Sequence, residues 1–258
     1  MGLYLVAVVV AVVVAWTAGD LGVLWRLTVF MEVEEVTVVT WPNVISLVLA
    51  GAVWAWALWQ GLRGPLAGPS PALDRDERRL RLALYATAAT WPLYFLAPSW
   101  TWWMAVLDAT LMVAVVWSFR PVLTRNFKAV DYLWTLGVVG YGGAIVAETL
   151  DFFGPGAPGE IEAIYGLATL VWVMLVLRAQ RMDGRWRLTT VLYGVAALLL
   201  PALLPLVRLF TDGEAVYGVL AVAEAVNMVW LIRSAHDLAD PRPTADPANL
   251  LTVSEESA

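Results

Sequence analysis

Apolar residues along this chain come in long runs separated by short polar segments, the rhythm of helices that cross a bilayer. Spanning the hydrocarbon takes about 20 apolar residues as a helix, because every backbone polar group must be satisfied within its own segment. Eight runs meet or approach that length, at about 3–18, 43–61, 82–97, 101–119, 131–150, 162–179, 188–208 and 214–233. The pattern predicts an all-α fold, a polytopic transmembrane helical bundle of eight spans occupying residues 1–236. Residues 237–258 carry three prolines and a polar acidic end and read as a disordered cytoplasmic tail. The first run, LYLVAVVVAVVVAW, is short and precedes Thr17, Ala18 and Gly19, as the h-region of a signal peptide would. It has no basic segment ahead of it, so a retained helix is expected.

The segments between the runs are sorted by charge. Arg63, Arg75, Arg78, Arg79 and Arg81 join the second and third runs, and Arg120, Arg125 and Lys128 follow the fourth. Arg178, Arg181, Arg185 and Arg187 follow the sixth, and Arg233 and Arg242 the last. Only Arg26 and Arg208 fall on the other side, where Glu32, Glu34, Glu35, Asp151, Glu160, Glu162, Asp212 and Glu214 collect. Fourteen of the sixteen basic residues therefore mark one face. The positive-inside rule makes that face cytoplasmic, giving a multi-pass protein of the cell membrane with both termini inside. Residues 62–73 read as a flexible Gly/Pro loop. LDRDERR at 73–79 resembles an acidic cyclase motif, but Asp74 just before a helix is more simply its N-cap.

Composition agrees with lipid as the solvent. Of 258 residues, 60% are apolar and only 15% charged, and the mean hydropathy is +0.72, far from an ordinary soluble domain. The net charge of −6 resides mostly in loops and tails and says little about partners, and no nucleic-acid footprint is visible. The absence of cysteine excludes disulfides, thiolate metal sites, iron–sulfur clusters and a cysteine nucleophile. The sole histidine, His236, lies just beyond the last apolar run and reads as a solvated helix-end residue. Bis-histidine haem ligation and His-based zinc sites are thereby excluded, so no metal and no cofactor is expected. The sole lysine, Lys128, lies in a loop and cannot form a mid-membrane Schiff base with retinal.

Acids inside the runs bear most directly on function, since a carboxylate at bilayer depth costs about 3 kcal/mol on insertion scales. Asp108 stands in the fourth run, Glu148 near the outer end of the fifth and Glu224 in the middle of the eighth. At 1.5 Å per residue all three fall in the outer half of the membrane, where one pocket can hold them. Tyr217 and Asn227 share a helix face with Glu224, and Trp134, Tyr141 and Glu148 repeat at seven-residue intervals along another. Gly137 and Gly140 lie close to that second stripe, where close helix packing would use them. Asp131 and Glu162 sit at helix N-termini and read as capping residues.

Fifteen tryptophans exceed what an aromatic belt needs. Trp41, Trp100, Trp102 and Trp103 fall at outer interfaces and Trp59, Trp117 and Trp186 near inner ones. Trp54, Trp56, Trp91, Trp134, Trp172 and Trp230 lie deeper or at an ambiguous depth. Trp91, Tyr94 and Phe95, beside Pro92, are the strongest candidates to line a cavity, together with Trp134, Tyr141, Tyr217, Asn227 and Trp230.

A dry, aromatic-walled pocket holding sheltered carboxylic acids has a definite chemistry. Such an acid keeps its proton and can give it to an epoxide or an olefin. Ring faces then stabilise the cation by about 2 kcal/mol or more each where water is absent, and the same dryness prevents premature quenching. The residues point to proton-initiated cyclisation of a membrane-dissolved prenyl chain or its epoxide, with Asp108 and Glu224 as the catalytic acids.

The chain also resembles the small integral-membrane terpene cyclases of fungal meroterpenoid and indole-diterpene pathways and bacterial indole-sesquiterpenoid pathways. The resemblance is carried by LAVAEAVNMVWLIR in the last run, by WMAVLDATLMVAVVW after a short aromatic hairpin, and by AIVAETL. It covers most of the chain. It implies a seven-span core with the first helix as an extra, Glu224 as the counterpart of the family's last-span acid, and a prenyltransferase or epoxidase upstream. The family has a Trp-Glu pair in the span before the short hairpin, where this chain has Trp91-Pro92, and Asp108 is the residue that could supply the missing carboxyl group. Two other classes compete. One is a transporter or accessory membrane protein using Asp108, Glu148 and Glu224 as proton or cation sites, although no inverted repeat is evident. The other is a lycopene-type carotenoid cyclase, which would need MEVEE at 31–35 as its site.

Overall fold

A computed structural model describes residues 1–29, 39–66, 72–94, 101–124, 130–154, 156, 158–204 and 214–240. The regular structure among those residues is all helical, with no strand. The helices are α1 (Gly2–Ala18), α2 (Gly22–Thr28), α3 (Trp41–Leu62), α4 (Arg75–Tyr94), α5 (Trp102–Leu123), α6 (Val130–Phe153), α7 (Gly159–Asp183), α8 (Leu188–Ala202) and α9 (Glu214–Ala239).

Five of them, α3, α5, α6, α7 and α9, are long and apolar enough to cross a membrane. The other three expected runs fall short for separate reasons. α1 has 17 residues and α8 has 15, and the last residues of the run at 188–208 lie outside the described ones. α4 opens with Arg75, Asp76, Glu77, Arg78 and Arg79, which lowers its mean hydropathy, and the end of its run also lies beyond the described residues. α2 is an addition. With 7 residues it is too short to register as a span, and it turns back beside α1 so that Tyr4 donates to the Leu27 carbonyl at 2.6 Å.

Local chemistry explains several helix starts. Thr40 caps α3, its side chain accepting from Asn43 N, with Pro42 in the first turn. Asp74 caps α4 by accepting from Asp76 N and Glu77 N at 2.9 and 2.8 Å, while Glu77 accepts from Asp74 N at 3.2 Å. The Asp74 cap is the reading expected for LDRDERR, and the Glu77 bond back to Asp74 N completes it as a capping box. At the start of α6, Asp131 pairs with Arg120 at 3.1 Å, but both side chains are exposed and the pair is worth little.

From α4 to α8 each helix packs on the next, and α9 closes the ring by packing on both α8 and α4. α3 lies against α9, and α1 and α2 lie against α3. Gly218 sits by Ser46 and Gly61 by Ile232, so α3 and α9 run parallel. Gly137, Gly140 and Gly143 meet Trp172, Thr169 and Tyr165 in turn, so α6 and α7 run antiparallel at close approach. α9 is the most enclosed helix, with 67% of its spanning window buried against 22% for α6 and α7. The main core is built on Trp54, Phe119, Trp172 and Trp230, and a smaller one under α1 and α2 on Val8, Leu21, Leu24 and Leu47. Large apolar side chains such as Val9, Val13, Leu49, Trp117, Leu167 and Leu192 point outward. A soluble monomer would not expose so much apolar surface, and a bilayer covers it.

The arginine-bearing segments meet at one end of the bundle. Gly184, at φ 75°, ends α7 in the left-handed conformation and turns the chain into Arg185. Arg185 donates to Glu77 of α4 at 3.0 Å, to the Val122 carbonyl of α5 at 2.9 Å and to both oxygens of Asp183. The Asp183 hydrogen bond is the main cause holding its guanidinium above the usual arginine range. Trp186 donates to the Ser234 carbonyl at 3.2 Å. Asp237 accepts from Thr190 at 2.6 Å and from Arg187 N at 2.9 Å. α9 thus continues past the expected tail boundary, with Asp237 and Asp240 buried; 241–258 lie outside the described residues. His236 corrects its reading as solvated. It is 2% exposed, because the α4 side chain Tyr85 and the neighbouring Arg233 enclose it.

Candidate functional site

Asp108 stands on α5 facing α4, where the Thr90 hydroxyl lies at its carboxyl group. Its Oδ1 is buried with no hydrogen-bond partner among the described residues. The same Thr90 hydroxyl lies 2.7 Å from the Thr87 carbonyl, which fixes it on the face of α4 turned toward Asp108. Glu224, on α9, has Asn227 one turn along as its hydrogen-bond partner and lies in the electrostatic field of Asp108. Tyr141, on α6, feels both carboxyl groups. Its ring meets Trp172 edge to face, with centroids 5.4 Å apart. Three helices separated in sequence therefore bring two acids and a phenol toward one region of the bundle.

A cavity of about 160 Å³ opens beside Glu224 between α7, α8 and α9. Val173, Gly194, Leu198, Asn227 and Trp230 line it together with Glu224. Gly194 creates the space for the indole, since a β-carbon there would stand 2.9 Å from Trp230 ring atoms. Trp230 is fixed from behind, its indole N–H donating to the Gln180 side-chain oxygen at 3.1 Å. Asp108 does not line this cavity; Tyr141 lies in range of both acids.

The remaining expected site residues lie elsewhere. Trp91 packs on Trp54 of α3 at 5.9 Å. Trp134 packs edge-on against Trp117 at 5.5 Å, with Arg120 over its ring at 5.2 Å. Glu148 sits toward the opposite end of α6, in the field of Asp151 and Glu162. Tyr217 is 41% exposed and meets Trp25 of α2 at 5.3 Å. The side chain of Tyr94 lies outside the described residues, as do Phe95 and the MEVEE segment. Seven-residue spacing explains the scatter of Trp134, Tyr141 and Glu148. It keeps residues on one face but moves each about 10 Å along the axis, into a different layer.

Thr90 and Gln180 were not foreseen as partners of the site. Thr90 follows Thr87 by one turn and Gln180 stands between Arg178 and Arg181, so neither stands out from its neighbours in the sequence. Comparison with known proteins finds no matching family model, no matching characterised protein and no matching solved structure. Among the described residues no group of His, Asp and Glu is arranged to hold a metal ion.

Proposed function

We propose that this protein is a membrane-embedded cyclase that initiates ring closure by protonating a lipophilic prenyl chain or its epoxide. The observation that carries this reading is the approach of Asp108 and Glu224, from α5 and α9, with Tyr141 in the field of both. The chemistry needs one of the two groups in its acid form. Its O–H bond breaks as the proton passes to an epoxide oxygen or an alkene carbon, and the π electrons of the next double bond close the ring. Loss of a proton from the final cation to the waiting carboxylate regenerates the acid, so the reaction is an isomerisation that consumes no cofactor. Trp230, which walls the cavity beside Glu224, supplies a ring face for the cation.

In the same reading α1 and α3 to α9 make eight crossings, with the arginine-rich end and both termini in the cytoplasm. A prenyltransferase or an epoxidase would supply the substrate. The resemblance to small integral-membrane terpene cyclases supports this assignment.

The test is direct. Membranes carrying the protein are incubated with prenylated and epoxidised prenyl substrates, and cyclic products are sought by mass spectrometry. Glu224→Gln is expected to abolish them while the protein still inserts. A second reading, transport of protons or small cations, is favoured by the cavity volume of about 160 Å³, which is below the roughly 300 Å³ at which organic-ligand pockets begin. No cyclic product, together with a liposome pH gradient that collapses through the wild type and not through Glu224→Gln, would replace the first reading by the second.

A further inference from the structure

At the arginine-rich end of α9, away from Glu224, cations outnumber the carboxylates available to them among the described residues. Arg233 is 4% exposed, and a buried guanidinium needs a close and well-aligned counter-ion. Its nearest recorded carboxylate oxygen, Asp237 Oδ1, is 3.8 Å away, too far for a charge-assisted hydrogen bond. The other Asp237 oxygen is taken by Thr190 and Arg187 N. On another side Arg233 faces an imidazole, His236 Nδ1 at 3.5 Å.

The same imidazole is approached from α4. Tyr85 lies 5.7 Å from the His236 ring, centroid to centroid, and Arg81 lies over Tyr85 at 5.3 Å with Nη2 3.4 Å from its hydroxyl. Arg81 Nε is buried and has no hydrogen-bond partner among the described residues. Arg63, just past the end of α3, and Asp240 also act electrostatically on His236. Asp240 accepts from Leu66 N at 2.6 Å through Oδ1, and its Oδ2 lies 2.9 Å from Arg187; among the described residues this oxygen and Asp237 Oδ1 are buried without a hydrogen bond, so the two carboxylates are ion-paired but not saturated. Glu77, one turn before Arg81, is engaged by Arg185 at 3.0 Å. Among the described residues, Arg63, Arg81, Arg187 and Arg233 are thus left with Asp237 and Asp240 between them.

We propose that Arg81, Arg233 and His236, with Arg63 at the rim, form a binding site for a phosphate group. Phosphate suits the arrangement because its several oxygens accept from more than one guanidinium fork at a time. Tyr85 and His236 add donors that carry no obligatory charge. Basic pockets between helices at a cytoplasmic membrane face are placed to take anionic headgroups. The phosphate comes either from such a lipid or from a soluble phosphate or diphosphate.

The full-length protein decides this, reconstituted in phosphatidylcholine nanodiscs with and without phosphatidic acid, and in micelles titrated with inorganic phosphate and pyrophosphate. Native mass spectrometry reads retained lipid, and thermal shift reads the free anions. Wild type is expected to retain phosphatidic acid selectively or to show saturable stabilisation by a free anion. Arg81→Gln should weaken that binding about tenfold. Arg120→Gln, an exposed arginine at the same end paired with Asp131, should leave it unchanged. Lipid retention without a response to free anions assigns a headgroup, and the reverse assigns a soluble ligand. Failure of wild type to bind either probe, or equal losses in Arg120→Gln and Arg81→Gln, overturns the site. Arg233→Gln is the stronger test if it folds; otherwise Arg81→Gln, whose side chain is only half-buried, decides alone.

Discussion

Trp230 of α9 donates its indole N–H to the Gln180 side-chain oxygen at 3.1 Å, and the Gln180 amide nitrogen donates to Ser234, one turn further along α9, at 3.0 Å. All three residues are buried. One glutamine therefore sets the register of α7 against α9 and fixes the indole that walls the cavity beside Glu224. Gln180→Leu should leave the Trp230 N–H and the Ser234 hydroxyl unpaired and cost about 1–3 kcal/mol. Trp230→Phe removes the donor but leaves the amide oxygen unpaired. The double variant should cost less than the sum of the singles, because the two share one bond. Unfolding in micelles measures all three, and strict additivity would show that the bond is not formed.

Close approach at Gly194 makes a second test. A β-carbon there would meet Trp230 ring atoms at 2.9 Å, so Gly194→Ala should cost about 1–3 kcal/mol through overpacking. Gly166 of α7 has nothing within 4 Å of the same added atom. Gly166→Ala should be neutral or stabilising by up to about 1 kcal/mol, the ordinary gain in helix propensity. Opposite shifts in the melting temperature of the micellar protein are expected, and equal shifts would contradict the packing.

What could be read from the sequence divides along a physical line. The helical bundle was legible because lipid solvation imposes runs of about 20 apolar residues, and Asp108 and Glu224 were legible because acids are costly at bilayer depth. The Asp74 cap and the glycines facing α7 were local signals of spacing and residue type. Tertiary contacts were not visible. Nothing in the sequence distinguishes Tyr141, which lies in range of both acids, from Trp134 one layer below, because helical spacing fixes the face and not the neighbour. His236 was misread for the same reason. Its position past the last apolar run suggests solvent, while the cover comes from Tyr85, about 150 residues earlier in the chain.

Arg185 ties the turn after α7 to α4 and α5 at once. Its side chain is 12% exposed and that of Glu77 is 7% exposed. Removing the cation takes the charged partner from buried Glu77 and a donor from the Val122 carbonyl. Arg185→Ala should therefore cost about 3–5 kcal/mol, the range for breaking a buried pair from one side. Because the Asp183 hydrogen bond raises the Arg185 value, the stabilisation from its charge is fully present below the unfolded arginine value. It is lost only as pH rises through the still higher folded one, so no pH dependence from Arg185 is expected near neutrality. A melting temperature within about 2 °C of wild type would show the network to be incidental.

The approach of Asp108 to Glu224 makes the last test the most discriminating one. If both groups handle one proton, removing either disables the unit, and a second removal has little left to take away. Asp108→Asn and Glu224→Gln should each lower the initial rate of cyclic product formation by roughly 10²–10⁴, and the double variant should be no slower than the worse single. Two independent acids would instead multiply their losses. Tyr141→Phe separates geometry from chemistry, since it keeps the ring against Trp172 and removes only the hydroxyl that feels both carboxyl groups. Under the shared-proton scheme it should slow turnover while leaving the melting temperature close to wild type. A Tyr141→Phe enzyme at full rate, alongside multiplicative losses at the two acids, would mean that each carboxyl group acts on its own.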